Sequence, residues 1–112
     1  MEHNRLNAYH IMWLFVFFDL PTNTKKERKA AARFRKDLVQ DGFTMMQYSV
    51  YIRHCASKES GEVHAKRIKS CVPEKGQVSI LRITDKQYGD IMNFWGIKEK
   101  PLPEGPKQLE IF

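Results

Sequence analysis

Seven consecutive apolar residues, Met12-Trp13-Leu14-Phe15-Val16-Phe17-Phe18, run without a polar interruption near the start of the chain. A strand with one wet face alternates apolar and polar side chains, whereas an unbroken run rich in aromatics is built to be buried on both faces. The run therefore predicts a central strand, with layers packed above and below it. It is too short to span a bilayer, which takes ~20 apolar residues. Asp19-Leu20-Pro21 follows it, where a secretory signal would carry small residues for cleavage. The expectation is a soluble cytoplasmic chain with no membrane part. At 112 residues it holds one domain.

The rest of the chain arranges itself around that strand. Thr24-Lys25-Lys26-Glu27 matches a capping box. Ala31, Phe34 and Leu38 then recur on one helical face, and Asp41-Gly42 supplies a left-handed stop. Residues 43–47 and 48–54 read as two strands, with a weakly marked break near Gln47 because no Asn-Gly turn is present. In the second of them Tyr48, Val50 and Ile52 are expected on one face and Ser49, Tyr51 and Arg53 on the other. Ser57 caps a second helix with Gly61, Ala65, Ile68 and Val72 inward, and Pro73 ends it. Gly76 opens a strand from Gln77 to Thr84. Residues 85–96 read as a short helix or irregular segment. Residues 98–106 carry three prolines and a glycine, which predicts a linker without regular structure.

The order is β-α-β-β-α-β, the α+β split βαβ of ferredoxin-like folds. Residues 1–10 form a lead-in, 11–96 the domain, and 97–112 a linker with an extra strand over 107–112. Both helices cover one sheet face. The other face, expected to carry Ser49, Tyr51 and first-strand aromatics, is left for a second copy or for stacked bases.

Charge narrows the partner. The net charge is +6, an excess that favours a polyanion through counterion release. Lys25, Lys26, Lys29, Arg33 and Lys36 line the polar side of the first helix. A solvated face is the bland account of such a row; nucleic-acid contact is the sharper one. Arg53 and Arg82 stand on strands among apolar neighbours and must find a partner, either an ion pair or a phosphate. The two cysteines, Cys55 and Cys71, are not in a CxxC pair, and the four histidines show no ligand spacing. Both sets read as ordinary structural side chains.

Three motifs are more specific. Phe15-Val16-Phe17-Phe18-Asp19-Leu20-Pro21, Gln47-Tyr48-Ser49-Val50-Tyr51, and the stretch Pro73-Glu74-Lys75-Gly76 through Thr84-Asp85-Lys86-Gln87 occur in this order. Together they resemble the CRISPR-associated endoribonuclease family, the smaller of the two core adaptation proteins. The resemblance implies a homodimer and a role in acquiring spacers beside an integrase subunit. It also implies Mg²⁺-dependent nuclease capability on RNA or DNA, and a last strand, carrying Leu109 and Ile111, that pairs across the dimer or with the integrase. It makes Asp19 the metal ligand and, with Ser49, the catalytic candidate.

One carboxylate is a poor Mg²⁺ site, because the ion wants octahedral oxygen from one or two carboxylates, waters and a phosphate. A two-fold axis beside Asp19 would supply the second. Two such charges ~4 Å apart repel by about 4 kcal/mol at an effective dielectric near 20, so a cation or a shared proton must sit between them. Metal binding should then strengthen as pH rises. No general base is marked by sequence. The alternatives are a ferredoxin-like ribonuclease toxin and a non-catalytic DNA-binding scaffold. The Arg/Lys-Gly-aromatic-Gly/Ala-aromatic signature of an RNA-recognition module, which shares this topology, is missing from Tyr48 to Arg53.

Overall fold

The computed structural model describes residues 12–105. Its elements are β1 (Met12–Asp19), α1 (Lys25–Gln40), β2 (Thr44–Gln47), β3 (Val50–Cys55), α2 (Lys58–Cys71), β4 (Gln77–Thr84), α3 (Asp85–Gly89), β5 (Phe94–Trp95) and β6 (Lys98–Glu99). The main sheet is antiparallel in the order β2-β3-β1-β4. This is the expected ferredoxin-like arrangement, with the apolar run at its centre. The lead-in and the strand expected over 107–112 lie outside the described residues.

Alternation along β1 divides the core in two. Leu14, Val16 and Phe18 point at the helices and pack with Phe34, Leu38 and Ile68. Trp13 and Phe15 point the other way and pack with Ile52 and Tyr88. Tyr51 is buried on the helix side against Phe18. That corrects its expected place on the open face, which Val50 and Ile52 occupy instead. The alternation within β3 is as expected, but Tyr51 pairs opposite Val16, whose side chain faces the helices; Tyr48 and Ser49 form the hairpin loop rather than strand. Ser49 adopts φ 65°, the left-handed conformation usually left to glycine.

Both helices begin where their caps dictate. Thr24 accepts from Glu27 N at 3.1 Å, and Glu27 Oε1 accepts from Thr24 N at 2.9 Å, completing the capping box. Ser57 accepts from Ser60 N at 3.1 Å. The inward face of α2 is Gly61, His64 and Ile68; Val72 lies beyond the helix and is exposed. Regular structure reaches past Gly96. Lys98–Glu99 pairs with Phe94–Trp95 in a small hairpin, so the stretch expected to lack regular structure begins with a short strand. The proline spacing excludes strand only from Pro101 onward.

The second sheet face is half covered. Trp13 stacks on Tyr88, with ring centroids 3.7 Å apart, and donates to Asp85 Oδ1 at 2.8 Å. Tyr88 donates to Pro103 O at 2.6 Å, which straps residues 101–105 over the N-terminal end of β1. Burial and the nearby Asp85 push the Tyr88 phenol up to about 12, so it keeps the proton it donates. At the other end of the sheet Phe17, Ser79, Leu81 and Asp19 remain exposed.

Candidate metal and nucleic-acid site

Asp19 ends β1, opposite Gln77 of β4, on the face away from the helices. Its carboxylate is exposed. Backbone crowding fixes its place. Gly76 has φ +96°, and a Cβ there would stand 2.7 Å from Asp19 O, closer than van der Waals contact allows. The loop that follows is tied down as well: Arg28 donates to Thr22 O at 3.0 Å, and Asn23 N donates to Glu27 Oε1 at 3.0 Å. Ser49 is brought to the same end of the sheet, because its carbonyl accepts from Phe18 N at 3.1 Å. The two residues of the sequence motifs therefore lie at the same end of the sheet, Ser49 tied there through the Phe18 backbone.

Among the described residues no three His, Cys, Asp or Glu side chains gather around a space fit for a metal ion. Asp19 offers a hard, solvent-facing carboxylate of the type Mg²⁺ takes, but one chain contributes only one. The donor type fits; one carboxylate does not complete the set.

The cationic residues separate into two groups. Lys25, Lys26, Lys29, Arg33 and Lys36 are all exposed on α1. They lie opposite its buried stripe of Ala31, Phe34 and Leu38. None of the five is in an ion pair among the described residues, where the pairs are His64–Asp41 and Arg67–Asp41. Lys26 also lines a groove with Leu20, Pro21, Ala30 and Lys75 that starts one residue from Asp19.

Arg53 and Arg82 stand apart from this row. Both pair with Leu14, from opposite sides, five positions from Asp19 along β1. That is about 17 Å at the usual rise per residue. Arg53 spends its donors on the backbone: Nε on Asp41 O and an Nη on His54 O, each at 2.7 Å. Gly42 makes room for it, since a Cβ there would lie 3.0 Å from Arg53 Nε. Arg82 is exposed on β4.

Sequence reasoning missed a polar cluster at the C-terminal end of α1, away from Asp19. His64, read as an ordinary histidine, is buried on α2, with Nδ1 2.8 Å from Asp41 Oδ2. Arg67 donates to the other oxygen at 2.8 Å. Burial would raise the Asp41 carboxyl; the hydrogen bonds from His64 and Arg67 outweigh it and hold the carboxyl below the ordinary range. The helical spacing of His64 with Gly61 and Ile68 was the available signal, but a buried acid partner cannot be read from spacing. His54 lies edge-on to Trp13, and its Nε2 is buried without a hydrogen-bond partner among the described residues. Burial lowers its pKa; Arg53 adds to that and Asp85 opposes it.

A split βαβ sheet with both helices on one face, a carboxylate exposed at the end of its central strand and cations along its first helix defines a ferredoxin-like protein of the small CRISPR-associated type. The family model described as "CRISPR associated protein Cas2" matches residues 12–91. The chain belongs to that family. It is 52% identical over 111 residues to a CRISPR-associated endoribonuclease Cas2 of Flavobacterium psychrophilum, covering 99% of this chain and 96% of that relative. It is 58% identical over 101 residues to one of Parvibaculum lavamentivorans, covering 90% and 100%. A solved crystal structure of a Cas2 protein superposes with a TM-score of 0.55 at 21% identity, over 86% of this chain and 98% of that one, a likeness of fold.

Proposed function

We propose that two copies of this chain assemble face to face, so that their Asp19 carboxylates share one Mg²⁺, and that the dimer binds nucleic acid along its cationic helices during spacer acquisition beside an integrase subunit. The observation that carries this reading is the uncovered end of the second sheet face. Trp13 and Phe15 are roofed by Tyr88 and the 101–105 strap, whereas Phe17 (39% exposed), next to Asp19 on that face, and Leu81 (47% exposed), opposite Phe15, remain open. An apolar patch beside a lone carboxylate suits a symmetric partner that hides the first and completes the second. A bound Mg²⁺ would polarise a phosphate and activate a water there. Ser49, at the same sheet end, would orient that water or the scissile strand.

Nuclease action on RNA or DNA and a bridging role between integrase subunits are both compatible with this geometry. The bridging role is favoured because, among the described residues, Asp19 belongs to no cluster of three His, Cys, Asp or Glu side chains. The test is Asp19→Asn, assayed for Mg²⁺-dependent cleavage of single-stranded RNA and duplex DNA, and for spacer acquisition with the integrase. Loss of cleavage together with acquisition assigns Asp19 to chemistry. Retained acquisition assigns the chain to bridging. Failure to co-purify with an integrase subunit on branched DNA overturns the adaptation role.

A further inference from the structure

The β2–β3 hairpin places one aromatic ring in water and then holds it still. Tyr48 is 77% exposed. Arg35 of α1 lies over the ring, its guanidinium carbon 5.4 Å from the centroid, and donates to Tyr48 Oη at 3.2 Å. Behind it the same guanidinium rests 5.9 Å from the Phe18 centroid. The loop is pinned from the other side by Phe18 N donating to Ser49 O at 3.1 Å, and Ser49 accepts a left-handed φ of 65° to make the turn. A tyrosine this exposed hides little apolar surface, so fold stability does not require so rigid a mount. A flat ring with one face against a cation and the other free is the arrangement on which unpaired bases stack. The helix that carries Arg35 also presents a cationic row suited to an anionic strand: Lys29, Arg33 and Lys36 are exposed and without ion-pair partners among the described residues.

We propose that Tyr48, fixed by Arg35, is a stacking ledge for an unpaired base of single-stranded nucleic acid. The adjoining phosphates run onto the α1 cations, at the sheet end that carries Asp19. The proposal rests on the reading that the chain binds nucleic acid, and it adds the residue that would distinguish an unpaired strand from a duplex.

The test compares three probes on the full chain at low salt: an oligothymidine of about ten nucleotides, an all-abasic strand of equal length and charge, and a blunt duplex. Fluorescence anisotropy gives the affinities. A strand carrying 2-aminopurine reports stacking by quenching. The wild type should prefer the based strand to the abasic one by roughly tenfold and should quench 2-aminopurine. Tyr48→Ala should lose both effects, while Tyr48→Phe keeps both, and duplex binding should be equal in all three proteins. Should the alanine variant lose its fold, Tyr48→Leu makes the same comparison with an apolar side chain that has no flat face. Unchanged preference and quenching in the Ala or Leu variant, with duplex binding intact, overturns the ledge alone. No binding of duplex or single strand by the wild type overturns the proposed function and the ledge with it.

Discussion

Asp41 and His54 both contribute to the acid sensitivity of the fold, and each acts in its own window. Asp41 is held below the ordinary carboxylate range by its bonds to His64 and Arg67, against the opposing pull of burial. A depressed carboxyl stabilises the folded state above its unfolded value, near 3.9, and loses that contribution as pH falls through the lower folded value. His54 is depressed by burial in the Trp13 corner, with Asp85 opposing. Its unfolded form takes a proton near pH 6.5 while the folded form resists, so stability begins to fall below that pH and keeps falling toward the folded value. Thermal melts between pH 3 and 7 should therefore show two declines. His54→Asn should flatten the first, below about pH 6.5. Asp41→Asn should lower Tm at neutral pH, with the deficit shrinking below about pH 4. A Tm difference that does not change with pH in either variant would refute the assignment.

At the scale of elements, α1 positions both the cationic row and the loop behind Asp19. Thr24→Ala removes the acceptor for Glu27 N and should cost about 1 kcal/mol by chemical denaturation. Thr24→Ser should cost far less. This helix was legible in the sequence to the residue, because a capping box, a three-residue apolar stripe and a glycine stop all agree. β1 and β4 were legible for a similar reason, as apolar runs closed by Asp19-Leu20-Pro21 and opened by Gly76. The β2–β3 loop was not. Its left-handed residue is a serine, which carries no turn signal of its own, and alternation alone could not say which face of β3 meets the helices, so Tyr51 was expected on the wrong one. The β5–β6 hairpin was hidden because two-residue strands are too short to show a period.

The whole molecule gives the site its remaining logic. The place of Asp19 at the end of β1 was legible from the motif that holds it; the fate of the arginines was not. Arg53 and Arg82 look alike in sequence, yet one is consumed by the carbonyls of Asp41 and His54 while the other stays in solvent. Such sorting depends on contacts between residues distant in the chain. The proposed dimer predicts that Leu81→Glu, at an exposed position opposite Phe15 on the same open face, leaves the monomer folded but shifts sedimentation equilibrium to the monomer mass and abolishes Mg²⁺ binding in calorimetry. Two chains would together carry +12, twice +6. Duplex affinity should fall linearly on logarithmic salt axes, with a slope of about 0.9 per phosphate contacted. Removing Lys29 and Arg33 should reduce that slope, whereas Arg53→Lys should leave it unchanged.

The contact between Gly76 and the Asp19 carbonyl has a genetic consequence. The nearest atom to any side chain introduced at position 76 is a main-chain oxygen, with Leu20 Cδ2 next at 2.9 Å. Shortening Leu20 would clear the second obstacle but not the first, and no codon change moves a carbonyl. A screen for suppressors of Gly76→Ala should therefore return true revertants and leave position 20 empty.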